Sequence, residues 1–234
     1  MSAAGADVRP GSLRVLTWNV HGLRAGADAV ADVLRAARCD VALLQEAPRG
    51  LRAVPRAAAL ARRSGLLVGA AGRPAAGALV LVAARVHVSS AAVEALPVRG
   101  VATPVRGSAR AEVSAPGGSR ALVVAAHLGL DEGERADHCA RLALGGEPRP
   151  VVVGADLNEH PGGPSWGHLL PGARDAWEVA GEGEGRTFPA GRPRARIDAL
   201  LVRGFEVASA QVLDVGAASD HRALVAELVL PPDA

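Results

Sequence analysis

Eight side chains that can bind a cation or transfer a proton stand at the ends of short apolar runs in this sequence. The runs are LRVLTWN, VALLQE, ALVVAAH and VVVGADLN, and the motifs ARID and ASDH follow near the end of the chain. Apolar strands that end in polar groups can gather those groups on one rim of a sheet, where the sheet holds them rigidly. The eight residues are Asn19, Glu46, His127, Asp156, Asn158, Asp198, Asp220 and His221.

Taken singly, each of these residues has a simpler explanation. Asp or Asn after a strand usually forms a turn with its own backbone, and His127 alone fits a core imidazole. The pair Asp220 and His221 alone fits a helix cap or a surface turn. Together the eight favour a metal site, because clustered carboxylates repel one another unless a cation neutralises them. An oxygen-only ligand set, which suits Mg²⁺ or Mn²⁺ better than zinc, is formed by Glu46, Asp156 and Asp220 with the neutral Asn19 and Asn158.

The elements that must position these groups are mostly strands. Short apolar runs bounded by Gly, Pro or Asp predict strands at 13–18, Val41–Gln45, 78–83, 121–127, 151–155, 198–202 and 223–230. Apolar spacing and end signals predict helices at Ala27–Ala37, 55–63 and 132–144. Because no linker or composition break divides the chain, the sequence predicts one α/β domain over residues 1–234, with packed sheets, outer helices and a flexible segment at 1–12.

Composition excludes several other classes of protein. The 234 residues are 49% hydrophobic and 21% charged, which is typical of a globular chain rather than a disordered or coiled-coil one. Cys39 and Cys139 lack the spacing of a zinc knuckle or a disulfide framework. The basic residues are all arginines spread along the chain, and the net charge is only +2. Without an apolar run of about 20 residues or a signal-peptide core, the sequence predicts a cytoplasmic protein with no membrane span.

Six motifs in order resemble those of a known family. They are LTWNVHG, LLQE, AAHLG, GADLNEHPGGPSW, RTFPAGRPRARID and SDH, and with their flanking strands they cover the chain from Leu13 to Leu230. This series is similar to the endonuclease/exonuclease/phosphatase superfamily, the metal-dependent phosphoesterases with the fold of pancreatic deoxyribonuclease. The resemblance implies a four-layer α/β/β/α sandwich with two packed mixed sheets, outer helices and an active site at one edge of the sheets.

The resemblance also implies a metal site. Asn19 and Glu46 resemble the metal-site pair of the family, with Glu46 as the principal ligand. Asp220 resembles a ligand of the metal or of a water bound to it. The implied cofactor is Mg²⁺ or Mn²⁺, and whether one or two ions bind is left open.

Catalytic roles are implied for five further residues. His127 resembles the histidine that acts on the leaving-group side or binds the phosphate, and Asp156 and Asn158 resemble the pair that positions the attacking water and the scissile phosphate. Asp198 resembles the acid that orients the last histidine, His221. Phosphate ester hydrolysis needs a proton acceptor near neutral pH, and either His221, oriented by Asp198, or Asp156 could be that base.

The sequence departs from the family pattern near the predicted strand at 78–83. Many relatives have Asn or Glu there, in contact with phosphate or with the first histidine, whereas this chain has Gly77 and Ala78. The departure predicts that His127 lacks its usual partner.

Two rival functions and the substrate remain open at this stage. GPSWG matches the G-x-S-x-G motif of serine hydrolases with Ser165 at its centre, although Pro161 and Pro164 occupy the approach. A non-catalytic module that binds phosphate ligands on the same fold is the other rival. We expect a monomeric hydrolase of phosphate esters, most simply a phosphodiesterase. Nucleic acid is slightly preferred as its substrate over phospholipids and inositol phosphates.

Overall fold

The computed structural model describes residues 11–100, 103–114 and 120–230, and within them it contains two six-stranded sheets. The strands are β1 (Ser12–Asn19), β2 (Val41–Gln45), β3 (Leu67–Ala70), β4 (Leu79–Val82), β5 (His87–Ala95), β6 (Gly107–Ser114), β7 (Arg120–His127), β8 (Val151–Asp156), β9 (Arg174–Asp175), β10 (Asp198–Arg203), β11 (Glu206–Leu213) and β12 (Ala223–Val229). The first sheet has the order β11-β12-β1-β2-β4-β3, and the second has the order β5-β6-β7-β8-β10-β9.

Helices cover the outer faces of both sheets, and one short helix, α5, instead packs against the core between them. They are α1 (Ala27–Ala37), α2 (Ala53–Ser64), α3 (Glu132–Leu142), α4 (Pro164–Leu169) and α5 (Ala176–Ala180). One core cluster joins α1 and α2 to the first sheet, a second joins α3 and α4 to the second sheet, and a third lies between the sheets. Among the described residues, no helix combines the length and apolar character needed to span a bilayer.

This layering explains the continuous apolar runs of the central strands. In β1, Leu13 and Val15 face the core between the sheets, whereas Leu16 and Trp18 pack against the outer helices. Alternate side chains point to opposite faces of a strand, so a strand buried on both faces is apolar at nearly every position. Each sheet contains one parallel pair among antiparallel pairs. The predicted four-layer α/β/β/α sandwich with two packed mixed sheets is therefore confirmed.

The strand register carries the polar strand ends to one edge. β1 and β2 are parallel, with Asn19 opposite Gln45, and β7 and β8 are parallel, with His127 opposite Asp156. β10 is antiparallel to β8, which sets Asp198 opposite Asp156. Of the segment predicted to be flexible, residues 1–10 lie outside the described residues, and β1 begins at Ser12.

The two sheets approach each other closely at Gly154 in β8. A Cβ on Gly154 would lie 2.7 Å from the Cβ of Leu43 and 2.8 Å from the Cβ of Thr17, both in the facing sheet. Beside this contact the buried amide of Gln45 donates to Thr17 Oγ1 at 3.1 Å and to the carbonyl of Gly154 at 3.0 Å. A residue without a side chain is needed here for the sheets to meet and for the amide to bridge them.

Gly154→Ala is expected to lower the free energy of unfolding by about 1–3 kcal/mol, the usual cost of overpacking a core. The added methyl group has no space to enter without moving one sheet away from the other. Urea unfolding followed by circular dichroism measures the change. The matched control is Gly167→Ala in α4, where a Cβ meets nothing within 4 Å, and an equal loss in both variants would contradict the prediction.

Candidate active site

His221 is held between two buried carboxylates. Its Nδ1 lies 2.8 Å from Asp198 Oδ2, and its Nε2 lies 3.8 Å from Asp156 Oδ2. A carboxylate only accepts, so Nδ1 must carry the proton of the shorter contact. The backbone at His221 is fixed as well, because Trp18 Nε1 donates to the carbonyl of His221 at 2.8 Å. The ring of Phe188 packs against the imidazole, with 4.7 Å between the ring centroids.

The carboxylates raise the affinity of His221 for a proton. Burial by itself lowers the pKa of this imidazole, but the charge and hydrogen bond of Asp198, with Asp156 and Asp220, outweigh it and raise the pKa to about 9. In the protein without a bound cation, His221 is therefore an imidazolium at neutral pH.

Asp156 is the centre of the hydrogen-bond network and joins the two sheets. Its Oδ2 accepts from Asn19 Nδ2 of the other sheet at 2.9 Å, and its Oδ1 accepts from the backbone N–H of Asn158 at 3.0 Å. His127 Nε2 lies 3.3 Å from Oδ2. Asp156 is 2% exposed, and this burial raises the pKa of its carboxyl group. One carboxylate thus contacts side chains from two other strand ends.

His127 is a buried, neutral imidazole in one tautomer. Arg106 Nη1 lies 3.3 Å from its Nδ1, and a guanidinium only donates, so Nδ1 accepts and Nε2 carries the hydrogen that points to Asp156. Burial and the positive charge of Arg106 lower the pKa of His127 to about 3, although Asp156 acts in the opposite direction. The amide nitrogen of Asn158 lies 3.2 Å from Nε2 but makes its hydrogen bond by donating to the carbonyl of Leu128 at 2.9 Å.

Arg106 is a residue of this network that the sequence motifs did not include. It precedes β6 and is only 7% exposed. The glycine at the departure from the family pattern also has a structural reason. Gly77 has φ +98°, a conformation that strains any L side chain, and a Cβ there would lie 3.0 Å from the carbonyl oxygen of Ala47, so the position disfavours both Asn and Glu. His127 therefore has a partner, but it is the guanidinium of the residue before β6 instead of an acid or amide near β4.

Glu46 follows β2 in a left-handed conformation, with φ +52°. Its carbonyl accepts from the N–H of Gly22 at 3.0 Å. Within the described residues its carboxylate makes no hydrogen bond or ion pair, although it lies within electrostatic range of Arg106. Glu46 lines a pocket of about 750 Å³ together with His21 and Arg106. This placement leaves a carboxylate free to bind a ligand beside the network.

Asp220 and Asn19 approach each other through His21. His21 Nδ1 lies 3.4 Å from Asp220 Oδ1, and the backbone N–H of His21 donates to Asn19 Oδ1 at 3.0 Å. Asp220 is partly accessible, with 39% of its side chain exposed. All eight residues predicted from the sequence thus lie at or beside one edge, although they differ in how closely their side chains approach one another.

The donor groups at this edge fit a hard cation. The ligand atoms of Asp156, Asp198 and His221 lie within 4.8 Å of one another, a group that could hold a metal ion. Asp198 Oδ1 is buried and has no hydrogen-bond partner in the described part of the chain. The predicted ligands Glu46 and Asp220 are not part of that compact group, whereas the amide of Asn19 contacts it through Asp156 Oδ2 at 2.9 Å. The side chains of all three offer oxygen ligands, which a hard cation prefers.

In EDTA, the two histidines are expected to make the free energy of unfolding depend on pH in opposite directions. The folded-state pKa of His127 is about 3, below 6.5 for a free imidazole, so its contribution is lost as the pH falls from 6.5 toward 3. The folded-state pKa of His221 is about 9, so its contribution is complete below pH 6.5 and is lost as the pH rises to 9. Urea unfolding measured across pH 4–10, a range chosen to span most of both windows, tests both.

Variants assign each limb of this pH profile. His221→Gln should flatten the alkaline decline and leave the acid limb as in the wild type, whereas His127→Gln should reduce the acid decline only. Unfolding profiles with unchanged slopes in both variants would contradict the predicted protonation states.

Ser165 lacks the setting of a catalytic serine. β8 ends at Asp156, a loop follows, and Ser165 lies in the first turn of the short helix α4. It is 3% exposed, and its backbone N–H donates to Glu159 Oε2 at 2.8 Å. A nucleophile elbow needs a strand that runs directly into the serine turn, and that arrangement is missing around this residue.

Three solved structures illustrate how widely this fold is shared. An endonuclease/exonuclease/phosphatase family protein from Bacteroides thetaiotaomicron is 17% identical, with a TM-score of 0.78 over 95% of this chain and 99% of that one. A mannosyl-6-phosphatase from Bacteroides thetaiotaomicron VPI-5482 is 16% identical, with a TM-score of 0.78 over 93% and 100%. TDP2 from D. rerio, solved with a single-strand DNA product, is 19% identical, with a TM-score of 0.72 over 93% and 98%.

Sequence comparison places the chain in a family. No curated protein matches it in a sequence search. The model of the Endonuclease/Exonuclease/phosphatase family, however, matches residues 16–221, which include every residue of the site described above. The structural similarities are below 25% identity and show the fold alone, whereas the family match covers most of the chain. The protein therefore belongs to the endonuclease/exonuclease/phosphatase family, a family of phosphoesterases.

Proposed function

We propose that the protein hydrolyses phosphate diesters with Mg²⁺ or Mn²⁺ and that the network around Asp156 is its reaction centre. The observation that carries this proposal is the convergence of Asn19, His127 and His221 on one buried carboxylate at the sheet edge. A buried carboxylate with two imidazoles and an amide can position water and bind phosphate oxygens at the same time.

His221 is the better candidate for the base. Asp198 holds its Nδ1 and leaves Nε2 directed into the site. The imidazolium must first lose its Nε2 proton, and the neutral ring that results is an oriented proton acceptor. Asp156 is the rival, but both of its oxygens already accept hydrogen bonds, from Asn19 Nδ2 and from the N–H of Asn158. We therefore assign proton transfer to His221 and positioning of the attacking water to Asp156 and Asn158.

His127 is suited to phosphate binding and not to proton donation. An imidazole with a pKa of about 3 carries no second proton at neutral pH, so it has none to give to a leaving group. Its Nε2–H is still a directed donor, since Arg106 occupies Nδ1. In the substrate complex we expect that N–H to bind a non-bridging phosphate oxygen.

The residues that would hold the cation are Glu46, Asn19 and Asp220. Glu46 is the best placed of these, because its carboxylate has no other partner among the described residues and faces the pocket. When bound, a divalent cation supplies the charge that neutralises the oxygens of the transferring phosphoryl group.

The test uses bis-p-nitrophenyl phosphate as the diester and p-nitrophenyl phosphate as the monoester. Release of p-nitrophenol from the diester with Mg²⁺ or Mn²⁺, abolished by EDTA and retained in Ser165→Ala, supports the proposal. Activity that survives EDTA but is lost in Ser165→Ala would favour a serine hydrolase. No turnover of either ester above the level of Glu46→Ala and His221→Ala would favour a binding module. A strong preference for the monoester would overturn the diester assignment.

A further inference from the structure

The pocket beside Glu46 is strongly positive for a protein of low net charge. Its lining includes five arginines and one glutamate, a formal charge of +4 with His21 neutral, whereas the whole chain carries +2. The arginines come from the loop after β1, the loop after β2, helix α2 and the residue before β6: Arg24, Arg49, Arg56, Arg63 and Arg106.

Most of these guanidinium groups lack an acidic partner. Arg63 pairs with Asp28 at 2.8 Å. Within the described residues, the side chains of Arg24, Arg49 and Arg56 make no ion pair or hydrogen bond, and all three residues are exposed at the pocket. Exposed arginines on most protein surfaces are solvated separately, whereas these line one concave space of about 750 Å³. Such an arrangement is suited to a ligand that brings negative charge.

Arg106, the buried arginine of the pocket lining, strengthens the interpretation that the pocket binds an anion. It is only 7% exposed, and its buried Nε–H has no hydrogen-bond partner in the described part of the chain. Burial and, next, the charge of Arg49 lower the pKa of its guanidinium. Bringing like charges together in a partly buried site is unfavourable until an anion neutralises them. Arginine is also the side chain whose fork of N–H groups best matches a phosphate.

The pocket adjoins the reaction centre. Arg106 contacts His127 directly, Glu46 belongs to both the pocket and the proposed cation site, and His21 reaches Asp220. An anion bound among Arg49, Arg56 and Arg106 would therefore lie next to a phosphate bound at His127.

We propose that this pocket binds a second, non-reacting phosphate of the substrate, so that the enzyme selects esters with another phosphate near the scissile one. The inference rests on the proposed function and specifies its substrate class. That second phosphate can belong to the next link of a polynucleotide strand or to a small bisphosphate, and the two sources share the chemistry that the arginines recognise.

The kinetic test compares the p-nitrophenyl ester of thymidine 5′-phosphate with the same ester carrying a 3′-phosphate. We expect kcat/KM to be about 10-fold or more higher for the second ester, as charge-assisted hydrogen bonds to one phosphate would give. Arg49→Gln and Arg56→Gln should reduce this ratio severalfold. Arg62→Gln, an exposed arginine on the same helix α2 but outside the pocket lining, should leave it unchanged. A p-nitrophenyl ester of an oligothymidylate distinguishes the two sources of the second phosphate. A further increase in kcat/KM with this ester indicates a polynucleotide strand, and no further increase indicates a small bisphosphate.

A binding test separates this inference from the proposed function. Titration calorimetry in EDTA compares thymidine 3′,5′-bisphosphate with thymidine 5′-phosphate on the wild type and on the Arg49→Gln/Arg56→Gln variant. Tighter binding of the bisphosphate by the wild type, lost in the double variant, supports the phosphate-binding pocket even if neither ester is hydrolysed. Absence of hydrolysis would overturn the proposed function but would leave this inference standing. Equal binding of the two ligands, or an equal loss in Arg62→Gln, would overturn the inference.

Discussion

His221→Gln is expected to lower kcat for bis-p-nitrophenyl phosphate by roughly 10²- to 10⁴-fold, the range that a positioned general base contributes. Gln keeps the polarity and most of the size of the side chain but cannot accept and release a proton near neutral pH. The 2.8 Å contact with Asp198 shows that the ring is already oriented before substrate binds. Steady-state rates across the pH range should rise with pH in the wild type and be flat in the variant.

Two further variants test whether Asp198 acts through His221. Asp198→Asn preserves shape but removes the negative charge beside Nδ1 and replaces one acceptor oxygen by a donor NH2 group, so it should lower kcat and change the pH profile. Residues that act as one unit give non-additive losses, and the double variant Asp198→Asn/His221→Gln should be little worse than His221→Gln alone. The control is His87→Gln, an exposed histidine on β5. Fully multiplicative losses, or an unchanged pH profile in His221→Gln, would contradict the assignment.

The sequence predicted central elements whose apolar residues form a stripe or an unbroken run. The bounds of α1 and β2 agree with the prediction, because an apolar stripe or an unbroken apolar run marks each of them. β5 and β11 were missed. Both are edge strands whose residues are largely exposed, so they carry no apolar run. The predicted helix at 132–144 is shorter by two residues, since Ala143 adopts φ +48° and ends α3 after Leu142.

The sequence also predicted which polar residues lie at the edge, since they stand at strand ends and strand register determines their meeting points. It did not predict Arg106, because the proximity of Arg106 to His127 arises from the antiparallel pairing of β6 with β7, which sets Ser108 opposite Ala126. β6 contains Arg110 and Glu112 and has no long apolar run, so neither this strand nor its pairing with β7 was evident from the sequence. An arginine directly before a strand that pairs with β7 was the signal available.

Glu46→Gln is expected to raise the Mg²⁺ or Mn²⁺ concentration needed for half-maximal activity by at least about 10- to 100-fold, the loss caused even by residues that only support metal ligands. Gln has the same length and keeps one oxygen donor, but it removes the negative charge that a hard cation prefers. The carboxylate of Glu46 makes no ion pair among the described residues, so the substitution should leave the fold intact.

The fold can be checked by urea unfolding in EDTA, where Glu46→Gln and the wild type should be equally stable. Mn²⁺ binding measured by electron paramagnetic resonance gives a readout independent of turnover, and Glu206→Gln, an exposed glutamate on β11, is the matched control. Wild-type Mn²⁺ affinity in Glu46→Gln would exclude Glu46 as a ligand. The compact group of Asp156, Asp198 and His221 would then be the remaining cation site, and His221 could not serve both as ligand and as base. The Mn²⁺ affinity of Glu46→Gln therefore also decides whether the network around Asp156 acts as the reaction centre, with His221 as the base, or as the cation site.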